Sequence, residues 1–206
     1  MGPGLGLTVH GEQSAISHAW LHGETGLTAL AVGGTPCGHC RQFMRELTTA
    51  GELTIVTPRF GALPLTALLP HAFGPQSLGH PGGLLQADDH QLRLLTPTSD
   101  PLSLAALAMA NRSYAPYSRS YAGAALLTHT GQIFSGAYAE NAAFNPSLPP
   151  LAVALSHLNL AGQTPAEIQR AVLVELEGAL CSQVVTGQAL LGPVSLEVVY
   201  AGVGEG

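Results

Sequence analysis

The chain has no lysine, and all seven of its basic residues are arginine. This absence excludes Schiff-base catalysis on a lysine, and it excludes the phosphate-binding loop whose motif requires one. The formal net charge is −6 with histidine neutral. An acidic chain with few cations is a poor match for a phosphate backbone, because Lys and Arg supply that affinity. We therefore expect no nucleic acid polymer as a partner, whereas a small neutral ligand suits the composition.

Charged residues make up only 10% of the 206 residues, against 46% apolar residues. This balance disfavours charged disorder, and the length allows one large domain or two small ones. No apolar run reaches the roughly 18–20 residues of a membrane-spanning helix, and the Gly-rich start has no cationic region typical of a signal peptide. We expect a cytoplasmic protein without a membrane partner.

Hydrophobic periodicity predicts an α/β protein built from two related units. Residues 10–57 show the order helix, strand, helix, strand. Residues 103–206 show helix, two strands, helix, strand, helix, strand, with Ser103 as the expected N-cap of the first helix. The predicted domains are residues 1–80, a turn-rich linker over 81–102, and residues 103–206. Strands joined through helices imply a sheet covered by helices, with parallel neighbours toward the C-terminal side.

Three potential metal ligands occur close together in sequence, at His10, Cys37 and Cys40. One nitrogen and two sulfurs suit Zn²⁺, and three protein ligands leave the fourth tetrahedral position for water. Both ligand groups stand at predicted helix starts, where the dipole stabilises thiolates. Glu12 lies two residues from one ligand and can reach the bound water. The pattern matches the H-x-E…P-C-x-x-C signature of zinc-dependent base deaminases.

A C-x-x-C pair alone is also typical of redox sites and of structural zinc sites. A redox pair would not require His10 and Glu12 upstream, and a structural site needs a fourth ligand. His39 lies between the two cysteines, where joint ligation is awkward, and Cys181 lies in the other predicted unit. We therefore favour a catalytic zinc, one per chain, carrying a water or hydroxide.

Longer motifs resemble a known family. The stretches TVHGEQSAISHAW and TPCGHCRQFMREL resemble the cytidine deaminases, and NRSYAPYSRSYAGAALLTHTGQIFSGAYAENAAFNPSLPPL resembles the second domain of their two-domain, homodimeric branch. The resemblance implies two three-layer α/β/α units. It also implies His10, Cys37 and Cys40 as zinc ligands and Glu12 as the proton shuttle.

Further site residues follow from the resemblance alone. The backbone at Gly11 would contact the pyrimidine, and Phe73 and Ala143 would complete the active site of the partner subunit. Independently of the resemblance, Arg41 beside Cys40 is expected to hydrogen-bond the cysteine thiolates and temper their charge; the alternative is an exposed helix residue.

The sequence departs from the family pattern at three places. Gly11 stands where this branch usually has Ala, which preserves a backbone contact but adds freedom to the loop. The second unit reads Ser147-Leu148-Pro149-Pro150-Leu151 where the family has a Cys-Ala-Glu motif, so we expect no metal there. The chain starts just before His10, so we expect an N-terminally truncated first unit that lacks its opening helix and hairpin.

The resemblance implies a zinc-dependent hydrolase that converts cytidine and deoxycytidine to the uridine products in pyrimidine salvage. It would act on a small nucleoside as a homodimer. The alternative is a truncated zinc-binding subunit that dimerises but has no catalytic activity.

Overall fold

A computed structural model describes residues 5–86 and 88–204, which form two compact units. The smaller unit contains residues 10–86 and 140–147, and the larger contains residues 5–9, 88–139 and 148–204. Both units combine helices with a sheet, so the predicted α/β class is confirmed. Within the described residues, no helix is both long and apolar enough to cross a bilayer.

The smaller unit is a three-stranded sheet with short helices. Its elements are α1 (Gly11–Leu21), β1 (Ala29–Ala31), α2 (Gly38–Met44), β2 (Thr54–Thr57), β3 (Gly61–Pro64) and α3 (Leu65–Leu68), followed by a 3₁₀ turn at Pro75–Leu78. Strand β1 pairs in parallel with β2, and β2 pairs antiparallel with β3. A parallel pair needs a crossover connection, and α2 lies within it. The loop from β1 to the start of α2 therefore carries the chain into the C-x-x-C motif.

The predicted order helix, strand, helix, strand is confirmed in this unit, but β3 and α3 were not anticipated. The reason lies in their sequence. Strand β3 follows Pro58 and begins at Gly61, and none of its four residues is buried. A short, exposed strand with Gly and Pro at its ends has no hydrophobic periodicity, so only its pairing with β2 makes it a strand.

The larger unit has a five-stranded sheet in the order β4-β8-β7-β5-β6. Its elements are β4 (Leu92–Leu94), α4 (Pro101–Asn111), β5 (Ala122–Thr128), β6 (Ile133–Ala137), α5 (Pro150–Leu160), β7 (Ile168–Leu176), α6 (Val184–Leu191) and β8 (Leu196–Val203). Strands β5 and β6 form the predicted hairpin, and β7 and β8 are the predicted parallel neighbours.

Helices cover both faces of this sheet. Successive residues of β5 point to opposite faces: Ala124 packs in one core cluster and Ala125 in the other. The first cluster includes residues of α5 and α6, and the second includes residues of α4. The larger unit is therefore a three-layer α/β/α sandwich, as expected.

Two details differ from the sequence predictions. Residues 81–102, predicted as a linker, include the buried Leu84 in the smaller unit and strand β4 in the larger sheet. The N-cap of α4 is Asp100 rather than Ser103, because the Ser103 N–H donates to Asp100 Oδ2 at 3.0 Å. Asp and Ser are both good N-caps, so these residue types do not decide between the two positions. Pro101 does, because proline favours the first helical position, which makes Asp100 the N-cap.

Candidate metal centre

Helix α1 begins with His10 as its N-cap. The His10 backbone is extended, with φ −81° and ψ 157°, and its carbonyl accepts the N–H of Ser14 at 2.9 Å. The side-chain oxygen of Gln13 accepts the His10 N–H at 3.2 Å. This local hydrogen bonding fixes the helix start, so His10 precedes the helix and Glu12 lies in its first turn.

Helix α2 begins in the same way at Cys37. The Cys37 backbone is extended, with φ −71° and ψ 169°, and its carbonyl accepts the N–H of Arg41 at 3.1 Å. Cys40 lies three residues later, almost one helical turn, so both sulfurs lie on one side of the helix start. The two Sγ atoms are 3.6 Å apart. Cys40 is buried and Cys37 is exposed.

The two helix starts bring the three predicted ligands together. His10 Nδ1 lies 3.4 Å from Cys37 Sγ and 3.3 Å from Cys40 Sγ. A tetrahedral zinc with ordinary Zn–S and Zn–N bond lengths would hold such atoms about 3.6–3.8 Å apart, so the three atoms need to move only a few tenths of an ångström. In the part of the chain that the structure describes, His10, Cys37 and Cys40 are the only group of three or more His, Cys, Asp or Glu side chains whose ligand atoms lie within 4.8 Å of one another. The donor set and its spacing fit Zn²⁺.

Glu12 lies beside the ligands. The Cys40 thiol donates to Glu12 Oε2 at 3.2 Å. Burial raises the pKa of the Cys40 thiol well above its usual range, and the hydrogen bonds to Glu12 and Cys37 raise it further. A bound divalent cation has the opposite effect on a coordinating thiol. Metal binding at this site therefore releases protons and weakens at low pH.

A pocket of about 290 Å³ opens next to the ligand cluster. It is lined by Gly11, Glu12, Ala15 and residues 31–35. The first three lie on α1, Ala31 ends β1, and residues 32–35 follow β1 and approach the C-x-x-C motif. Residues 31–35 were not predicted as site residues. The pair Gly33-Gly34, directly after an apolar strand, could have indicated a place where a ligand approaches the backbone. The exposed backbone of two glycines lets a ligand approach closely.

Arg41 does not form the expected hydrogen bonds to the thiolates. Its Nε donates to the carbonyl of Pro36 at 2.8 Å, and its Nη1 donates to the carbonyl of Leu68 at 2.7 Å. Pro36 directly precedes Cys37, so Arg41 acts on the backbone beside the ligand rather than on the sulfur. Its two charge-assisted bonds tie the cysteine turn to the end of α3.

Phe73 and Ala143, the two residues expected to complete a partner's site, are both hydrogen-bonded to a pair of amide side chains in the smaller unit, Gln42 and Asn141. Gln42 Nε2 donates to the carbonyl of Phe73 at 3.0 Å, and Asn141 Oδ1 accepts the N–H of Ala143 at 3.0 Å. The two residues also bond to each other: Asn141 Nδ2 donates to the Gln42 carbonyl at 3.1 Å, and Gln42 Nε2 donates to Asn141 Oδ1 at 3.4 Å. Neither Phe73 nor Ala143 is among the described residues that line the pocket. Their assignment to a partner's site stays a prediction.

Two family models match the chain. Both are described as a cytidine and deoxycytidylate deaminase zinc-binding region, one over residues 2–56 and the other over residues 65–188. The second alone covers more than half of the chain. The chain belongs to the cytidine and deoxycytidylate deaminase family. The first match contains His10, Glu12, Cys37 and Cys40.

Curated relatives of this deaminase family extend the match. The chain is 47% identical over 197 residues to a cytidine deaminase of Vibrio atlanticus, covering 96% of this chain and 66% of that protein. It is 50% identical over 199 residues to a cytidine deaminase of Aeromonas salmonicida, covering 95% of this chain and 67% of that protein. The chain thus spans about two thirds of the length of these relatives. A crystal structure of cytidine deaminase from Burkholderia pseudomallei matches 50% of this chain and 86% of its own, with 32% identity and a TM-score of 0.43.

Proposed function

We propose that the chain hydrolyses cytidine and deoxycytidine to uridine and deoxyuridine, releasing ammonia. The observation that carries the proposal is the cluster of His10 Nδ1, Cys37 Sγ and Cys40 Sγ beside Glu12, which lines a pocket. The family match and the relatives named cytidine deaminase support the choice of reaction.

His10, Cys37 and Cys40 would hold the zinc ion. Zinc bound there supplies a Lewis acid that lowers the pKa of water from about 15.7 to about 7, which makes hydroxide available at neutral pH. The protein contributes a fixed ligand geometry, because both ligand groups are anchored at helix starts.

Glu12 moves the protons of the proposed reaction. It accepts a proton from the attacking water and delivers it to N3 of the pyrimidine. It then takes the remaining proton from the new hydroxyl at C4 and delivers it to the departing amine, which leaves a C4 carbonyl. The balance is one water consumed and one ammonia released for each cytidine converted. Glu12 suits this role because it faces the pocket without belonging to the ligand cluster. One carboxylate can serve all transfers, since it returns to its starting state after each turnover.

The pocket supports a small substrate. Its volume of about 290 Å³ is at the lower end of ligand pockets, and Gly11 offers a backbone N–H at the first position of α1. We propose that this N–H, at the positive end of the helix dipole, contacts the pyrimidine. The acidic, lysine-free chain disfavours a polymer or a highly charged substrate.

We also propose a homodimer in which Phe73 and Ala143 of each chain complete the partner's active site. Phe73 is 47% exposed, which leaves its ring available to another chain. Light scattering of the purified chain tests the dimer, and a monomer at working concentration would contradict it.

The proposed setting of the reaction is pyrimidine salvage in the cytoplasm.

An ammonia-release assay tests the proposed function. Cytidine, deoxycytidine and deoxycytidylate are offered separately to the purified chain, before and after removal of metal by a chelator. We expect release from both nucleosides, loss on chelation and recovery with added Zn²⁺. Zinc binding without ammonia release would favour the catalytically inactive alternative.

A further inference from the structure

We infer that Gln13 is a positioning residue for the metal centre. Its side chain fixes the histidine ligand relative to the turn that carries the two cysteine ligands. This inference rests on the zinc site proposed above and adds a residue to it. Gln13 lies on α1 with 1% of its surface exposed. A polar side chain this deeply buried is costly unless its hydrogen-bonding groups are used.

Three interactions orient the Gln13 amide. Its Oε1 accepts the backbone N–H of His10 at 3.2 Å. Its Nε2 lies 3.5 Å from the carbonyl oxygen of Pro146 and 3.2 Å from Nε2 of His39. A backbone N–H needs an acceptor and a carbonyl needs a donor, so the oxygen and nitrogen of this amide cannot be exchanged. Both amide hydrogens then have a partner.

The amide orientation fixes the tautomer of His39. Since Gln13 Nε2 donates, His39 Nε2 accepts, and the His39 ring is neutral with its proton on Nδ1. The ring also stacks against the His10 ring, with centroids 5.6 Å apart and an angle of 28° between the planes. His39 lies between Cys37 and Cys40, so its position sets that of the turn carrying both sulfurs.

Gln13 therefore touches the metal site at two points without being a ligand. It holds the backbone of His10 on one side and, through His39, the cysteine turn on the other. The bond to Pro146 anchors the same amide to the segment 140–147 of this unit. Neighbours of metal ligands commonly control ligand orientation in this way, and their loss costs about 10–100-fold in metal affinity or activity.

Substitution of Gln13 by methionine tests the inference. Met is close to Gln in length but lacks all three hydrogen-bonding groups. We expect the zinc-loaded Gln13→Met variant to release zinc to a colorimetric chelator about 10-fold faster than the parent. We also expect the Co²⁺-substituted variant to show shifted ligand-field and thiolate charge-transfer bands, because the ligand geometry changes.

Ser17→Ala is the matched control. Ser17 is buried on the same helix, and its hydroxyl donates only to the Ser14 carbonyl, at 3.1 Å. For Ser17→Ala we expect the zinc release rate and the cobalt spectrum of the parent.

A second variant, His39→Phe, keeps a ring that can stack on His10 but removes the acceptor of the Gln13 amide. We expect it to release zinc at a rate between those of the parent and Gln13→Met.

Three outcomes decide the matter. If the parent holds no zinc, both the proposed function and this inference are wrong. If the parent holds zinc and Gln13→Met keeps the parental release rate and cobalt spectrum, only the inference is wrong. A lower melting temperature in Gln13→Met with unchanged cobalt bands also overturns it, because Gln13 would then only stabilise the fold.

Discussion

At the scale of the residue, the position of Glu12 is set by the helix on which it lies. The carboxylate lies 3.2 Å from Cys40 Sγ and lines the pocket, while the ligand cluster is formed without it. Its place in the first turn of α1 follows from the helix starting at His10. The position of Glu12 beside the ligand cluster could be predicted from the sequence, because the spacing His10-Gly11-Glu12 is local.

Substitution of Glu12 by glutamine should abolish the proposed deamination while zinc is retained. Gln has nearly the same shape but cannot carry a proton between water, the ring nitrogen and ammonia. Positioned acid–base groups contribute about 10²–10⁴-fold, and we expect kcat/KM to fall by at least 10²-fold. The measurement is ammonia release, paired with zinc analysis of the same sample.

Glu24→Gln is the control for this experiment, since Glu24 is an exposed carboxylate just beyond the end of α1. It makes the same chemical change without approaching the ligand cluster and should keep parental activity. A Glu12→Gln chain with activity within a few-fold of the parent would show that Glu12 is not the shuttle.

At the scale of the element, Asp100 connects α4 to two strands of the larger sheet. Its carboxylate caps α4 and accepts Arg170 Nη1 at 3.1 Å, and Arg170 Nε donates to Glu197 at 2.9 Å. Hydrogen bonds from Arg170 and then from Ser103 lower the pKa of Asp100 to about 2. Helix, β7 and β8 are thus joined by one ion-pair network at the surface.

Removal of this cap should destabilise the larger unit. Asp100→Ala loses both the cap and the ion pair, and we expect the free energy of unfolding to fall by about 0.5–2 kcal/mol. Asp100→Asn keeps a capping oxygen and should lose less. Urea unfolding at neutral pH separates the two variants, and equal stability of Asp100→Ala and the parent would contradict the role of the cap.

The same network predicts a pH dependence. The pKa of Asp100 is lower in the folded state than the unfolded value of about 3.9, so the folded state favours the carboxylate. Its contribution to stability is therefore complete above about pH 4 and is lost as the pH falls toward 2. The stability difference between parent and Asp100→Asn should shrink over this range, and a difference that grows on acidification would have the wrong sign.

Gly123 lies where helix α4 approaches the sheet closely. A Cβ at this position of β5 would lie 2.3 Å from the Ala106 carbonyl oxygen and 2.3 Å from the Ala110 nitrogen, both on the backbone of α4. Gly123→Ala would push α4 away from the sheet, and we expect a loss of about 1–3 kcal/mol of stability.

Gly202→Ala provides the comparison on β8. There a Cβ would meet only Leu95 Cδ2, at 3.1 Å, the far end of a flexible side chain. The urea midpoint of Gly202→Ala should stay much closer to that of the parent. Equal midpoints for the two variants would show that α4 shifts without cost.

The sequence predicted long periodic elements well and contact-dependent ones poorly. The hairpin of β5 and β6 and the helix α5 have strong local patterns, whereas β3 and β4 are short strands formed by pairing with β2 and β8. The possible metal site of His10, Cys37 and Cys40 could be predicted because its motifs are local to two helix starts. The backbone contacts of Arg41 depend on tertiary packing, which no local pattern encodes.

At the scale of the whole molecule, the two units are not two consecutive stretches of chain. Residues 140–147 belong to the smaller unit although they follow a strand of the larger one. The Ala142 N–H donates to the fully buried Glu46 at 2.8 Å, and Asn141 bonds to Gln42. These contacts join residues almost a hundred positions apart in sequence, so the predicted division into consecutive domains had no signal for them.

These long-range contacts hold the segment 140–147 within the smaller unit, which also carries the ligand cluster. A buried hydrogen bond from a backbone N–H to a carboxylate, such as that from Ala142 to Glu46, favours one arrangement of the chain. Leaving a buried donor or acceptor unpaired would cost free energy. The unit that carries the ligand cluster is therefore built from residues of both halves of the sequence, so its metal site is tested in the whole 206-residue chain.

Zinc content of the purified chain, measured by metal analysis, tests the central claim most directly. With ligand atoms supplied by His10, Cys37 and Cys40, we expect one zinc ion per chain in the parent, and a loss of that zinc in Cys37→Ala. Cys181→Ala, which changes an exposed cysteine of the larger unit, should keep the parental content. Two zinc ions per parental chain, or an unchanged zinc content in Cys37→Ala, would contradict the account.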